Sequence, residues 1–185
     1  MALKKISNWI LYDWMGWTKM VTVDTPQKCI ICFAPHTSNW DFIIGKLYSS
    51  AEDLRSNFLM KKEWFKGPLG SLFRYMGGIP VYRDKHTSMT DNLASEAMNS
   101  KSFHLCITPE GTRSLNPEWK KGFYYIALKA KIPIILYGVD YKKKLIQCTK
   151  SIIPTGDFDK EMREIKLYFK DFQGKKPELF TTGEI

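Results

Sequence analysis

The sequence predicts an α/β fold, a single domain with a mostly parallel central sheet, flanking helices and a mixed C-terminal edge. Continuous apolar runs at residues 29–34, 103–107 and 134–139 are typical of strands buried on both faces. Helical patterns alternate with these runs, which favours parallel strands joined by crossover helices. A chain of 185 residues suits one domain with a sizeable core. Since the sequence has no repeat, linker or low-complexity segment, we expect one domain over residues 1–185.

Residues 1–20 predict an amphipathic helix at a membrane interface. Apolar side chains at positions 3, 6, 10, 14 and 17 fall on one helical face. Aromatic rings at headgroup depth and lysines that face anionic lipid are typical of such helices. The side chains expected to contact the membrane are Trp9, Trp14, Trp17, Lys4 and Lys5. The alternative is a helix that packs on the domain's own core.

The apolar strand at residues 29–34 leads into a helix of about a dozen residues, which we expect to end near Asp53. In the following segment, residues 59–77, lysines alternate with aromatic and apolar side chains around a Gly-Pro turn. This segment is a second surface-binding element, the wall of a groove, or a solvated helix.

A double-glycine turn then precedes a short apolar strand that ends at Arg83. Residues 87–99 predict a helix, because Thr87 or Ser88 can cap its first turn. The buried strand at residues 103–107 follows it.

Residues 117–130 predict the next helix, which leads to the third buried strand. Short apolar runs at 145–148 and 151–153 predict two further strands after a charged turn. Residues 165–169 are either a strand or a helix. The polar tail, residues 173–185, is expected to be loose.

The net charge of +9 favours anionic partners: nucleic acid, an anionic membrane, or a phosphorylated substrate or carrier. Cys29 and Cys32 have the spacing of a redox or zinc pair, but residues three apart in a strand point to opposite faces. We therefore expect buried apolar fillers in a reducing compartment. No apolar run approaches the roughly 18 residues that span a bilayer. Asp13 interrupts the N-terminal apolar stretch, which argues against a secretory signal.

His36 and Asp41 follow the first strand at a spacing that permits a hydrogen-bonded dyad. A carboxylate that accepts from one imidazole nitrogen fixes the tautomer and leaves the other nitrogen as a base. No Gly-x-Ser-x-Gly nucleophile accompanies the pair, so the substrate itself can supply the nucleophile. Taken alone, the spacing favours a simpler interpretation, in which Asp41 caps the helix and His36 is a loop residue.

Three strands end in polar side chains at what should be one edge of the sheet, where ligands gather in such folds. Arginines offer planar donors for phosphate or carboxylate, and a glycine lets a backbone amide approach a substrate closely. We expect Glu110 to orient an arginine or to accept from a substrate hydroxyl; in isolation its segment favours a capped turn with an exposed ion pair. Beside the candidate base His36, the residues at these strand ends that we expect to bind substrate are Arg83, Glu110, Gly111, Thr112, Arg113 and Ser114.

Four ordered blocks resemble those of the glycerolipid (lysophospholipid) acyltransferase family, and the resemblance covers residues 28–140. The blocks are His-x4-Asp at 36–41, Gly-Ile-Pro-Val-Tyr-Arg at 78–83, Pro-Glu-Gly-Thr-Arg-Ser at 109–114 and Ile-Pro-Ile at 132–134. The first and third blocks together are specific to this family, whereas the second and fourth blocks add little evidence by themselves.

The resemblance implies that His36 is a general base for the acceptor hydroxyl and that Asp41 orients its imidazole. The acceptor oxygen would attack the thioester of acyl carrier protein or coenzyme A directly, with no acyl-enzyme and no bound cofactor. Arg83 and Arg113 would bind an anionic headgroup, by default that of 1-acyl-glycerol-3-phosphate. The residues that would shape the acceptor pocket and assist the oxyanion are Glu110, Gly111 and Thr112.

Two features depart from the family pattern. Pro80 stands where the second block usually has an aromatic residue, and the chain lacks the long transmembrane elements of some members. We therefore expect a cytoplasmic enzyme that is peripheral on the inner face of the cell membrane. The segments expected to hold it there are residues 1–20 and 59–77.

Other functions compete with this hypothesis. The acceptor is alternatively a lyso-lipid without phosphate, such as a lyso-aminolipid, and water in its place would give thioesterase side activity. A non-catalytic lipid-binding module would keep the fold without the reaction. A nucleic-acid partner is suggested only by charge and aromatic content, without a recognised motif, and is not expected. With no cluster of acidic or cysteine ligands near the dyad, we predict no metal requirement.

Overall fold

The computed structural model describes residues 2–67, 69–81 and 89–184. Its strands are β1 (Thr18–Val21), β2 (Lys28–Ala34), β3 (Asn57–Lys61), β4 (Gly78–Val81), β5 (Phe103–Ile107), β6 (Ile134–Asp140) and β7 (Leu145–Ile152). Its α-helices are α1 (Ala2–Asn8), α2 (Asn39–Ala51), α3 (Leu69–Tyr75), α4 (Met89–Asn99), α5 (Gly122–Ala130) and α6 (Phe158–Phe169).

The seven strands of the described residues form one sheet in the order β1-β7-β6-β2-β5-β3-β4. Every neighbouring pair is parallel except β6 and β7, which are antiparallel. The predicted α/β fold with a mostly parallel, mixed sheet is confirmed. Because β2 lies between β6 and β5, the loop that follows it is central at the carboxyl edge of the sheet.

Both faces of the sheet are covered, which explains the continuous apolar runs. Along β2, alternate side chains enter two separate apolar clusters, one under the N-terminal helices and α2, the other under α4, α5 and α6. Cys29 belongs to the first cluster and Cys32 to the second. The prediction that these two cysteines face opposite sides is confirmed, and both thiols are free and buried.

The N-terminal segment departs from the single predicted helix. Helix α1 continues as a π-helical segment, Trp9–Trp14, and the chain then enters strand β1 at the edge of the sheet. Gly16 separates the two elements with a φ of +69°, a left-handed conformation that glycine adopts without strain. None of the described helices is long and apolar enough to cross a membrane.

Trp17 is the one predicted membrane contact that the structure contradicts. Its side chain is only 5% exposed and packs edge-on against Tyr141, with the ring centroids 5.1 Å apart. The prediction is wrong because the helical segment ends before Gly16, so Trp17 does not share the exposed helical face. By contrast, Trp9 and Trp14 are 58% and 72% exposed, so most of the predicted apolar face does not pack on the core.

The later elements differ in detail from the sequence-based expectations. Helix α5 begins at Gly122 rather than at 117, and β7 is one continuous strand rather than two short ones. Residues 165–169 belong to helix α6, which resolves the open alternative. Strand β3 was not predicted, and the expected caps of α4 at 87 and 88 lie outside the described residues.

The prediction of a loose C-terminal tail is wrong. The Gln173 carbonyl accepts from the Tyr141 amide at 2.8 Å, and the Lys176 amide donates to Thr37 Oγ1 at 3.2 Å. Further along, the Thr181 carbonyl accepts from the Trp119 indole at 3.0 Å. Sequence polarity misled the prediction because these contacts are made largely by the tail's backbone.

We predict that Trp17→Ala lowers the free energy of unfolding by about 3–5 kcal/mol, because it empties a buried site. Trp14→Ala is the matched control, and its effect should stay within about 0.5 kcal/mol because that side chain is exposed. Urea unfolding without lipid measures both variants. Equal effects of the two substitutions would contradict the assignment of Trp17 to the core.

Candidate active site

The site begins at the N-terminus of α2, where the sequence builds a capping box. Ser38 is the N-cap, and its hydroxyl accepts from the Trp40 amide at 3.2 Å. Asp41, at the third helical position, returns the interaction because its Oδ2 accepts from the Ser38 amide at 2.7 Å. The same oxygen also accepts from the Thr37 amide at 2.7 Å. These bonds fix the loop that carries His36.

His36 and Asp41, whose spacing permits a dyad, lie close together. Nδ1 of His36 lies 3.2 Å from Oδ2 of Asp41, within ion-pair distance although the imidazole N–H is not aligned for a regular hydrogen bond. The Asp41 side chain is fully buried, whereas the His36 side chain is 21% exposed. Asp41 therefore fits both interpretations of the motif, as a helix cap and as a partner of His36. The carboxylate that caps the helix also faces the imidazole.

Tyr141 completes the surroundings of Asp41. Its hydroxyl donates to Asp41 Oδ1 at 2.7 Å, while Oδ2 serves the loop and His36. Burial, followed by the bond to Asp41, raises the pKa of the Tyr141 phenol. No sequence pattern points to this residue, which follows β6 and carries no motif of its own.

Glu110 joins the ends of β2 and β5. Its Oε1 accepts from the His36 amide at 2.8 Å, and the residue is only 3% exposed. Oε2 has no hydrogen-bond partner among the described residues. Burial raises the pKa of Glu110 to about 8, and the nearby Asp41 charge adds to the shift. The alternative of an exposed ion pair at this position is wrong, because the carboxyl group is buried.

The rest of the Gly111–Ser114 turn is exposed. Gly111 has a φ of +64°, and its amide donates to the Thr108 carbonyl at 3.1 Å, so the expected free amide is already occupied. Arg113 has no hydrogen bond or ion pair within the part of the chain that the structure describes. The predicted Arg83 lies outside the described residues.

Asn116 supports this turn, and the sequence-based predictions did not include it. Its side-chain amide donates to the Glu110 carbonyl at 2.8 Å and to the Glu118 carbonyl at 2.9 Å. Asn116 thus fixes the backbone on the far side of Glu110. An asparagine shortly after a Gly-Thr turn is a weak signal, because the same residue type is common in any loop.

The C-terminal tail closes one side of the site. Thr37 is 3% exposed and lies under the tail, where Gly174 approaches so closely that a Cβ would come within 2.7 Å of Thr37 Oγ1. Lys175 places its ammonium group 4.5 Å from the centre of the Trp40 ring. The tail therefore contacts the first turn of α2 as well as the loop before it.

The structure therefore brings three of the predicted residues into direct contact: His36, Asp41 and Glu110. Because the buried Asp41 carboxylate faces Nδ1 of the imidazole, Nε2 is the nitrogen that can accept a substrate proton. Among the described residues, no three His, Cys, Asp or Glu side chains are grouped to hold a metal ion. Metal independence stays a prediction.

Comparisons with known proteins identify the family of this chain. Residues 19–138 match the model of the family described as Acyltransferase. Over 77 residues, the chain is 34% identical to human 1-acyl-sn-glycerol-3-phosphate acyltransferase beta (Homo sapiens), which corresponds to 38% of this chain and 27% of that relative. The chain thus spans about a quarter of the length of this curated relative.

A solved structure has the same fold. It is the 1-acyl-sn-glycerophosphate (LPA) acyltransferase PlsC from Thermotoga maritima, which matches with a TM-score of 0.61 at 18% sequence identity. The match covers 88% of this chain and 73% of that protein. At this identity, the likeness establishes the shared fold alone.

We predict that Glu110→Gln changes how stability depends on pH. The native state holds the Glu110 proton up to about pH 8, while the carboxyl group in the unfolded chain releases it near pH 4.5. The wild type therefore loses stability as pH rises through this window, by on the order of a few kcal/mol. The amide variant lacks this loss, so its melting temperature should rise relative to that of wild type between pH 5 and pH 8.

The exposed Glu118 provides the matched control, since Glu118→Gln should follow the wild-type curve. Thermal unfolding across this pH range measures all three proteins. Parallel curves for Glu110→Gln and wild type would show that Glu110 is not protonated in the native state.

Proposed function

The chain belongs to the acyltransferase family, and we propose that it moves a fatty acyl group from a thioester to the hydroxyl of a lysophospholipid-like acceptor. The observation that carries this proposal is the buried Asp41 carboxylate, 3.2 Å from the Nδ1 atom of His36. Both residues lie within the segment matched by the family model. The pair lies at the carboxyl edge of the parallel sheet, where such folds bind ligands.

The proposed reaction needs no covalent enzyme intermediate. Nε2 of His36 takes the proton of the acceptor hydroxyl as its oxygen attacks the thioester carbonyl. The new ester C–O bond forms, the C–S bond breaks, and the departing thiolate receives the proton from the imidazolium. Asp41 holds the imidazole in the required orientation and stabilises its transient positive charge.

Acceptor binding is assigned to the exposed turn beside the dyad. Arg113 is exposed on the turn that follows Glu110, and its planar guanidinium suits an anionic headgroup. As the family resemblance implies, we propose that Arg83 shares this role and that Gly111 and Thr112 shape the acceptor pocket. Ser114, on the same turn, is proposed to contact the acceptor as well. The names of the human and Thermotoga relatives favour 1-acyl-glycerol-3-phosphate as the acceptor, with a lyso-aminolipid as the competing choice.

The acyl donor is a thioester of acyl carrier protein or of coenzyme A. Both donors are anionic, and the net charge of +9 favours either of them. Glu110 is better suited to positioning than to substrate contact, because its buried carboxyl group holds the His36 amide.

The protein is proposed to work on the surface of a membrane, on the inner face of the cell membrane. Four exposed apolar side chains lie on its N-terminal segment: Leu3, Ile6, Trp9 and Trp14. Lys4 and Lys5 are exposed beside them. Apolar side chains with adjacent lysines suit an anionic bilayer surface, where a lipid acceptor is available.

We predict that His36→Ala lowers kcat about 10²–10⁴-fold, because it removes the general base. Acyl transfer is measured from labelled acyl carrier protein and acyl coenzyme A to a panel of lyso-lipids in vesicles. His104→Ala is the control, since that imidazole contacts the Pro26 and Arg55 carbonyls at the opposite end of the sheet.

The same assay separates the competing functions. Product that requires a lyso-lipid and disappears in His36→Ala supports the proposal and names both substrates. Donor hydrolysis without an acceptor would indicate a thioesterase. Vesicle binding with no turnover of either donor would overturn the proposal in favour of a lipid-binding module.

We predict that replacing both Trp9 and Trp14 by alanine weakens binding to anionic vesicles about tenfold or more, through lost apolar contact area. Sedimentation with phosphatidylglycerol-containing vesicles measures the partition. Leu167→Ala is the control, because Leu167 is 48% exposed on α6, on the other face of the sheet. Equal binding of all three proteins would place the membrane contact elsewhere.

A further inference from the structure

Tyr141 lies outside every motif of the sequence and outside the segment matched by the family model, yet it contacts the dyad. Its hydroxyl donates to Asp41 Oδ1 at 2.7 Å. The other oxygen, Oδ2, accepts from the Thr37 and Ser38 amides and faces His36 Nδ1. The two carboxylate oxygens thus have separate partners.

We infer that Tyr141 is a positioning residue of the dyad, whose hydroxyl fixes the Asp41 carboxylate so that Oδ2 remains directed at His36 Nδ1. Its effect on acyl transfer rests on the proposed function. Its effect on the imidazole does not depend on which substrates the protein uses.

The capping box alone does not fix the carboxylate plane. The terminal torsion of an aspartate is broad, so the carboxylate can turn while one oxygen still accepts from the two loop amides. A donor on the second oxygen removes this freedom, because turning the group would break a hydrogen bond to a buried charge. Tyr141 supplies that donor.

Tyr141 is itself held by three contacts, one with the N-terminal segment and two with the C-terminal tail. Its ring packs edge-on against Trp17, with the ring planes at 85°. Its amide donates to the Gln173 carbonyl at 2.8 Å, and the Lys175 ammonium lies 5.9 Å from the ring centre. The N-terminal segment and the C-terminal tail therefore both fix the direction of its hydroxyl.

Among the described titratable groups near Asp41, the Tyr141 phenol is the one that donates a hydrogen bond to Asp41 Oδ1. His36 and Glu110 approach Asp41 from the loops after β2 and β5, whereas Lys175 of the tail lies over the Tyr141 ring. Burial and the bond to Asp41 raise the pKa of the Tyr141 phenol, so it remains a donor over the working pH range.

Tyr141→Phe tests this inference because it keeps the ring and removes only the donor. We expect kcat for acyl transfer to fall about 10- to 100-fold, the range for losing a hydrogen bond to a charged group. The KM values for donor and acceptor should stay within about twofold, because a positioning role acts through Asp41 and leaves substrate binding unchanged.

Tyr124→Phe is the matched control. It removes a phenol–carboxylate bond of similar length, 2.6 Å to Glu161, in the apolar cluster on the other face of the sheet. The two variants should lose similar stability, and only Tyr141→Phe should lose kcat. Equal kcat values for the two variants would overturn the inference.

A second measurement determines the tautomer of the His36 imidazole directly. The sequence has three histidines, so ¹⁵N resonances of histidine-labelled protein can be assigned with His36→Ala. In wild type we expect the His36 proton on Nδ1, and in Tyr141→Phe a shift of population towards the Nε2–H tautomer. Unchanged His36 resonances in Tyr141→Phe would overturn the inference even if kcat fell.

The two measurements separate this inference from the proposed function. A wild type that transfers no acyl group to any acceptor would refute the proposed function. The tautomer shift would still be readable in that protein and would decide the role of Tyr141.

Discussion

The buried carboxylate of Asp41 is the group on which the organisation of the site depends. Removing a carboxylate from water is costly unless donors replace the lost hydration. Here the donors are the Thr37 and Ser38 amides and the Tyr141 hydroxyl, all at 2.7 Å. The N-terminus of α2 adds a favourable field at the same place. The loop between β2 and α2 is therefore folded around Asp41, and the position of His36 follows from that arrangement.

The second buried carboxyl group, Glu110, behaves differently because its surroundings offer fewer donors. One oxygen accepts from the His36 amide, and the other is without a partner in the described part of the chain. Burial raises its pKa to about 8, so below that pH it is mainly neutral. A neutral Glu110 avoids placing a second negative charge beside Asp41 while it still fixes the backbone of the histidine. The two strand ends, β2 and β5, are thereby joined by a single side chain.

Segments near both ends of the described chain contact the neighbours of His36 and Asp41. Trp17 packs against Tyr141 from the N-terminal side, and Gln173 and Lys176 bind Tyr141 and Thr37 from the C-terminal side. The exposed tryptophans of the π-helical segment lie only a few residues before Trp17, so the surface proposed to meet the membrane and the core beside the site are adjacent in the chain. The segments that flank the family blocks thus contribute to the order of the site.

Features that depend on local pattern and spacing can be predicted from the amino-acid sequence. The continuous apolar runs predicted the buried strands, and the five-residue separation of His36 and Asp41 permitted their approach. The residues that surround His36 and Asp41 depend on contacts between distant parts of the chain. Tyr141 lies 100 positions from Asp41 and Gln173 acts through its carbonyl, so neither leaves a local signal. The burial of Trp17 and the ordered contacts of the tail likewise depend on packing, which a helical period or a polar composition does not encode.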